Sequence, residues 1–277
     1  MLSVRIATAL VGIPLFLVAI LAPGGWLLAI ALSLLAGVGL WEFARACRTF
    51  ATTPRIVPNP GLLIWGALMP LLTRAYGDFA LELSLLLALG IGFLWELAQA
   101  WRHPARAAAY NIGLGLFAAL YVGWLMAFGV RLRADFEPVM LTGWQVEQGA
   151  LKLLWLMAML WLGDSMAYFV GRWLGRHRLA PLLSPSKSWE GALANFVCCL
   201  LIGLAGGGGL GLPLWKAGLI GAGVGILGQL GDLFESSLKR AIGLKDFGGI
   251  LPGHGGILDR FDSFLFSVPW VWWWLAR

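Results

Sequence analysis

The stretch 236–262 reads SSLKRAIGLKDFGGILPGHGGILDRFD, and it concentrates charge and glycine between two apolar segments. Seven of its residues are charged and six are glycine, whereas the whole chain of 277 residues has only 20 Lys and Arg and 14 Asp and Glu. Charge between two segments of membrane length is costly to build, so this stretch predicts a functional site. The alternative, a solvated loop, needs neither so many glycines nor Asp residues at the helix ends.

The chain as a whole is apolar, with 60% hydrophobic residues and a mean hydropathy of +0.81. Soluble domains contain about 45–50% apolar residues. We therefore predict an all-α, polytopic integral membrane protein that has no large soluble domain. The net charge of +6 fits a positive-inside bias and an anionic substrate or lipid surface better than it fits nucleic acid. The three cysteines lack the spacing of a zinc site or a disulfide framework.

About nine transmembrane helices are predicted, because about 20 apolar residues cross a bilayer. The predicted spans are 5–22, 25–44, 58–74, 79–100, 109–130, 151–171, 189–207, 214–234 and 257–276. We interpret the first span as a retained helix, because it lacks a small-x-small cleavage site and a second span follows at once.

Basic residues follow the second, fourth, sixth and eighth spans, whereas the alternate loops are nearly uncharged or balanced in charge. The positive-inside rule therefore predicts a cytoplasmic N-terminus, an external C-terminus and a shared cytoplasmic face for 172–188 and 235–256. Glu82 and Glu96 lie in the fourth span without an evident partner. We interpret these two as packing or interface residues.

Two carboxylates are placed at neighbouring helix ends. Asp232 closes the eighth span, and Asp259 opens the ninth, where Asp262 shares its helix face. Such a pair suits Mg²⁺, which takes oxygen ligands and keeps waters and substrate phosphates. The alternative is a pair of salt bridges with Arg240 and Arg260. That alternative leaves the glycines between the helices unexplained, because bare backbone allows close approach to an anion.

A second polar cluster lies upstream, where 163–191 reads GDSMAYFVGRWLGRHRLAPLLSPSKSWEG. Asp164 lies inside the sixth span, and an intramembrane Asp is a functional hypothesis by default. A helix start is predicted near Lys187, where free N–H groups and the ammonium favour a phosphate. Asn195 lies about two turns further on, in position to line the same cavity. The alternative for the Ser/Pro-rich segment beginning at Ser184 is an ordinary turn.

The two clusters together predict a cationic, metal-ready site at the cytoplasmic membrane surface. No Ser-His-Asp or Cys-His arrangement stands at an obvious spacing. Phosphoryl or nucleotidyl transfer needs mainly positioning and charge neutralisation from the protein. The substrate must also lie within reach of lipid.

At these residues the chain resembles the phosphatidate cytidylyltransferase (CDP-diglyceride synthetase) family. The family signature is S-x-apolar-K-R, four residues, K-D, and then a Gly-flanked H-G-G-apolar-x-D-R-apolar-D. It is matched without a gap by Ser236, Leu238, Lys239, Arg240, Lys245, Asp246, His254, Gly255, Gly256, Ile257, Asp259, Arg260, Phe261 and Asp262. The patterns D-S-x-A-Y-x-x-G-R and S-P-x-K-[ST]-x-E-G match 164–172 and 184–191, with Ser188 where Thr is common and Ser186 where Lys is common. These motifs cover roughly the last 120 residues, and the N-terminal half resembles the family only in hydropathy and length.

The resemblance implies that CTP and phosphatidic acid give CDP-diacylglycerol and pyrophosphate, with Mg²⁺ and a second, monovalent ion, K⁺. It implies metal roles for Asp232 and Asp259 and catalytic roles for these two with Lys187 and Asp246. The implied substrate-binding residues are Ser184, Lys187, Lys239, Arg240, Lys245, His254, Gly255, Gly256 and Arg260, and further candidates are Asp164, Asn195 and Asp262.

The resemblance also sets expectations for organisation and partners. We expect N-terminal membrane helices in 1–150 and C-terminal catalytic helices in 151–277. The expected partners are CTP, phosphatidic acid and membrane lipid, with no nucleic acid and a possible homodimer. The expected location is the cell membrane, with the active site on the cytoplasmic side.

Three other classes of protein fit the sequence less well. A CDP-alcohol phosphatidyltransferase needs a D-G-x-x-A-R run, which is absent from the sequence. A transporter would use Asp164, Asp232 and Asp259 for a coupling ion, but such sites lie near the midplane and often within repeats. Here the carboxylates lie at helix ends and no repeat is visible. A membrane scaffold leaves the Lys/Asp/Gly stretch unexplained.

Overall fold

The computed structural model describes residues 2–49, 57–100, 107–141, 143–250 and 255–276, and most of these are helical. The helices are α1 (Leu2–Leu21), α2 (Trp26–Thr49), α3 (Pro60–Tyr76), α4 (Asp78–Ala100), α5 (Ala108–Ala118), α6 (Leu125–Arg133), α7 (Gln148–Trp173), α8 (Trp189–Gly209), α9 (Leu214–Ala241) and α10 (Leu258–Leu275). A π-helical segment, Ala119–Trp124, joins α5 and α6 into one run. The predicted all-α, multi-pass architecture is confirmed.

Every predicted span coincides with a helix or with the α5–α6 run. Within the described ranges six helical segments are long and apolar enough to cross a membrane: Pro23–Arg48, Asp78–Ala100, Ala108–Arg133, Gln148–Trp173, Trp189–Gly209 and Leu214–Ala241. Helix α3 has only 17 residues, α10 carries three charged residues in its first turns, and α1 contributes the shorter segment Leu10–Leu21. The predicted number of nine spans therefore stays a prediction.

Two short antiparallel ribbons interrupt the helices, and neither was predicted from the sequence. Strands β1 (Pro138–Leu141) and β2 (Trp144–Glu147) pair before α7. Strands β3 (Arg178–Ala180) and β4 (Ser184–Ser188) pair between α7 and α8, with Arg178 opposite Ser188. The second ribbon matters for function, because it carries the upstream polar cluster.

The chain forms two compact units, and each unit consists of two segments that are separate in the sequence. The first unit comprises Met1–Arg131 and Ile242–Arg260, and the second comprises Leu132–Ala241 and Phe261–Arg277. The glycine-rich part of the signature thus belongs to the first unit, whereas Asp232 and Lys187 belong to the second. The sequence analysis assigned the catalytic role to the helices of 151–277. That assignment stays a prediction.

Backbone contacts between helices hold the first unit together. Helix α3 packs on the π-helical segment so closely that a Cβ on Gly123 would overlap the carbonyl of Gly66. Leu62, Ala88 and Ala119 form a buried cluster next to this contact. In lipid, where hydrophobic burial does not drive helices together, small residues allow this close packing.

A glycine seam joins α8 to α9 in the second unit. A Cβ on Gly203 would lie 2.7 Å from Gly221 Cα, and one on Gly225 would lie 2.9 Å from Phe196 Cα. On α7, a Cβ on Gly163 would lie 3.0 Å from the Asn195 amide on α8. These contacts bring the polar residues of α7, α8 and α9 into one place.

Candidate active site

An open cavity of about 980 Å³ lies in the second unit. It is bounded by α7, α8 and α9, by the β3–β4 ribbon and by Ser263 of α10. Its polar lining residues are Asp164, Tyr168, Arg172, Arg178, Ser186, Lys187, Ser188, Asn195, Gln229, Asp232 and Ser263. The structure therefore brings four predicted site residues together, namely Asp164, Lys187, Asn195 and Asp232. What these residues do stays a prediction.

Lys187 and Asp232 form an ion pair across the cavity. Lys187 is near the end of β4, which pairs with β3, and Asp232 lies on α9. Their side chains remain 24% and 37% exposed, so solvent and ligands reach both. Ser236, one turn along α9, donates its hydroxyl to Asp232 Oδ1 at 3.5 Å. The ammonium predicted to hold phosphate thus neutralises the carboxylate predicted to hold a metal.

Side-chain amides link the three helices that line the cavity. Asn195 Nδ2 donates to Asp164 Oδ1 at 3.3 Å. Gln229 Nε2 lies 3.4 Å from Asn195 Oδ1 and donates to the carbonyl of Ala192 at 3.0 Å. Gln229 was not among the sequence candidates. Its signal was a polar residue in an apolar helix, three positions before Asp232 and on the same face.

Two arginines add positive charge to the cavity. Arg172 is near the end of α7 and donates to the hydroxyl of Tyr168 at 2.9 Å. Arg178 opens β3 and was not singled out from the sequence. With Lys187 they make a lining that favours an anion carrying several charges, because guanidinium and ammonium groups both bind phosphate.

Helix α8 begins at Trp189, close to the helix start that the sequence predicted near Lys187. One backbone N–H of its first turn is already hydrogen-bonded. Ser188 is buried and caps the helix by accepting the N–H of Gly191 at 3.2 Å. Glu190 lies 2.7 Å from the ring of His177 and also accepts the backbone N–H of His177. The ribbon is thereby fixed to the helix start, which places Lys187 in the cavity.

Asp262 belongs to the same unit and accepts the backbone N–H of Ser263 at 2.6 Å. Its carboxyl group lies within electrostatic range of the side chains of Asp232, Asp164 and Lys187. In the described part of the chain, no three acidic, His or Cys side chains cluster tightly enough to hold a metal by themselves. Mg²⁺ commonly uses one or two carboxylates and completes its shell with substrate phosphates and water. Asp164, Asp232 and Asp262 are carboxylates of the kind that such a metal uses, and metal binding here stays a prediction.

Asp259 belongs to the first unit, where it closes the glycine-rich loop. Its Oδ2 accepts the N–H groups of Phe247 at 3.1 Å and of Gly256 at 2.8 Å. Gly255 has φ +83°, a conformation that favours glycine, and lies against the same carboxylate. The sequence predicted close approach of bare backbone to an anion, and one such anion is Asp259 itself. Its role as a metal ligand stays a prediction.

The other candidates are distributed over both units. Lys239 forms a 3.0 Å ion pair with Glu235, whose side chain is fully buried, so this lysine already has a carboxylate partner. Arg240 donates to the carbonyl of Leu183 at 3.4 Å. Ser184 opens β4. In the first unit the candidates Lys245, Asp246 and Arg260 are exposed, and His254 lies outside the described residues.

Comparisons with known proteins cover almost the whole chain. The model of the cytidylyltransferase family matches residues 3–276. The phosphatidate cytidylyltransferase of Synechocystis sp. is 34% identical over 294 residues, which cover 98% of this chain and 96% of the relative. The enzymes of that name from Staphylococcus haemolyticus and Staphylococcus aureus are each 32% identical over 271 residues, covering 97% of this chain and 96% of the relative. A match of this extent shows that the chain belongs to the cytidylyltransferase family.

Proposed function

We propose that the chain is a phosphatidate cytidylyltransferase, which converts CTP and phosphatidic acid into CDP-diacylglycerol and pyrophosphate. The observation that carries the proposal is the cavity of the second unit, where Lys187, Arg172 and Arg178 line the same space as Asp164 and Asp232. Cations that bind phosphates and carboxylates that suit a divalent ion are the two requirements of nucleotidyl transfer.

The reaction is a substitution at the α-phosphorus of CTP. An oxygen of the lipid phosphate forms the new P–O bond, and the bond to the β-phosphate breaks, so that pyrophosphate leaves with its electron pair. The lipid phosphate is already ionised near neutral pH, so no strong general base is needed. The main obstacle is the repulsion between two anions, and fixed positive charge lowers it.

The ion pair between Lys187 and Asp232 supplies one group for the phosphates of CTP and one for a metal ion that accompanies them. When the pair opens, the ammonium becomes available to a phosphate and the carboxylate to a cation. Asn195 and Gln229 hold Asp164 in place beside them. Mg²⁺ would be held by Asp232, with Asp164 and Asp262 nearby, and it would neutralise phosphate charge. A role for Asp259 in metal binding and a second ion, K⁺, are part of the same proposal and rest on the family resemblance.

The membrane setting agrees with a lipid substrate. The chain is a multi-pass membrane protein, and the relatives named above are bacterial, which supports a location in the cell membrane. The basic loops support a cytoplasmic active site, where CTP is available. A homodimer is compatible with the proposal and is not required by it. Family membership favours nucleotidyl transfer over the transporter and scaffold alternatives.

The test is an assay of the purified protein in detergent with CTP labelled at the α-phosphate. With phosphatidic acid and Mg²⁺ the label should appear in a lipid product, and unlabelled pyrophosphate should form in equal amount. Diacylglycerol in place of phosphatidic acid is the matched control, because it lacks the attacking phosphate. A folded protein that transfers no label to phosphatidic acid, or transfers it equally to diacylglycerol, would contradict the proposal.

A further inference from the structure

Helix α2 carries a glutamate that is fully buried, at 0% exposure. One oxygen of Glu42, Oε2, accepts the backbone N–H of Ile257 at 2.8 Å and of Leu258 at 3.3 Å. Leu258 is the first residue of α10, so this carboxylate caps a helix that lies 216 positions later in the chain. A carboxylate is favourable there, because the start of a helix has free N–H groups and a positive dipole end.

The glycine-rich loop passes directly over this carboxylate. A Cβ on Gly248 would overlap Glu42 Oε1, and one on Gly256 would lie 2.6 Å from Oε2. Glycine at these two positions is what allows the backbone to come so close. The loop is therefore built against Glu42 at two separate points, 248 and 256.

Neighbouring residues of α2 complete the contact with the loop. Gly39 lies one turn before Glu42, and a Cβ there would meet the side chain of Leu258 at 3.0 Å. The ring of Phe43 lies 6.1 Å from the ring of Phe247, centroid to centroid. One face of α2 thus supports both ends of the loop and the first residue of α10.

The loop held in this way carries candidate residues for the reaction. Asp259 takes the N–H groups of Phe247 and Gly256, and Glu42 takes the next two N–H groups, those of Ile257 and Leu258. The two carboxylates therefore divide between them three amides of the loop and the first amide of α10. The direction in which Asp259 points is set by backbone that Glu42 holds.

We propose that Glu42 is a positioning residue for the reaction, acting through the described loop residues 247–248 and 256–257 and through Asp259. The proposal rests on the proposed function for its kinetic part only. Its structural part, that Glu42 fixes the loop, stands on the contacts of the first unit alone. The hydrogen bonds from Ile257 and Leu258 join the Glu42 side chain to the loop and to α10. Glu42 is therefore assigned no direct contact with substrate.

The experiment compares Glu42→Gln with Glu96→Gln. Glu96 is also a buried carboxylate of the first unit, and it accepts a hydrogen bond at 3.3 Å from the amide of Asn59, which precedes α3. Hydrogen exchange in detergent is measured on peptides that cover 244–260, and kcat and KM for CTP are measured in parallel. Glu42→Gln should speed exchange in these peptides and lower kcat at least tenfold, with KM for CTP within threefold. The KM should hold because the described residues that line the cavity proposed for CTP all belong to the second unit.

A second pair of variants keeps the test informative if Glu42→Gln does not fold. Gly248→Ala leaves the carboxylate in the chain but pushes the loop away from it. Gly249→Ala is its control, because a Cβ there meets nothing within 4 Å. Gly248→Ala should reproduce the faster exchange and the lower kcat, and Gly249→Ala should behave as the wild type.

The outcomes separate the two proposals. Unchanged exchange over 244–260, or equal losses of kcat in Glu42→Gln and Glu96→Gln, would overturn the role of Glu42. Faster exchange with a wild-type kcat would overturn it as well, because the loop would then be held for stability alone. A wild-type protein with no transfer activity would defeat the proposed function, and the exchange result would still report on the loop.

Discussion

Replacement of Lys187 by Ala removes the ammonium that faces Asp232 across the cavity. A hydrogen bond from a charged donor to a phosphate is worth about 1.5–3 kcal/mol. Each ~1.4 kcal/mol of transition-state stabilisation corresponds to a factor of ten in rate. We therefore expect kcat/KM for CTP to fall roughly 10- to 150-fold in Lys187→Ala.

The effect on stability should be much smaller than the effect on activity. The two side chains are 24% and 37% exposed, and ion pairs with that access to solvent contribute about 0–1 kcal/mol. Lys152→Ala is the matched control, because Lys152 also pairs with an aspartate, Asp135, in the second unit, with exposures of 15% and 27%. That pair does not line the cavity. Lys152→Ala should therefore keep its kcat/KM while showing a similar change in melting temperature.

The assay is initial-rate transfer from labelled CTP to phosphatidic acid at matched protein concentration, with melting temperatures measured on the same samples. Asp232→Asn and the double variant, which combines Lys187→Ala with Asp232→Asn, complete a double-mutant cycle. Each single variant should lose activity, and the double variant should be little worse than the poorer single variant, since residues that act as a unit are not additive. Wild-type kcat/KM in Lys187→Ala, or equal losses in Lys187→Ala and Lys152→Ala, would refute the reasoning.

Three further expectations concern the amide chain, the topology and the glycine seam. Gln229→Leu removes the hydrogen bonds to Asn195 and to the carbonyl of Ala192; loss of the first should lower kcat/KM roughly 2- to 12-fold, the value of one hydrogen bond, and loss of the second should lower the melting temperature. A reporter fused after Arg240 should lie in the cytoplasm and one fused at the C-terminus outside, and both on one side would contradict an odd number of spans between them. Gly203→Ala should cost about 1–3 kcal/mol of stability, seen as a lower melting temperature, whereas Gly208→Ala on the same helix should not, because a Cβ there meets nothing within 4 Å.

The helices were predictable because lipid leaves few alternatives to a long apolar helix. The meeting of Asp164, Lys187, Asn195 and Asp232 also followed, since all four lie within about three turns of helix ends that were predicted to lie on one side. The β3–β4 ribbon did not follow from the sequence. Its strands have three and five residues, and Ser184–Ser188 lacks the alternation of apolar and polar residues that marks a strand.

Glu42 was missed for a different reason. It lies in the sequence WEFARACR near the end of the second span, where a charged residue normally indicates the membrane interface. Its partners are backbone N–H groups 215 and 216 positions away, and backbone groups carry no signal in a sequence. Gln229 carries no charge and lies in none of the motifs, so the sequence alone does not distinguish it from a packing residue of the helix.

The seam between α8 and α9 divides the surface of α8 into two faces that tolerate change differently. On one face, Gly203 meets the backbone of Gly221, so the addition of a single methyl group forces the helices apart. On the other face, Leu193, Val197 and Leu201 are 63%, 43% and 59% exposed, and in a bilayer they would meet fluid lipid chains. Lipid chains accommodate almost any apolar shape. Substitutions that accumulate as the family diverges should therefore collect along 193, 197 and 201, while the seam keeps its glycines.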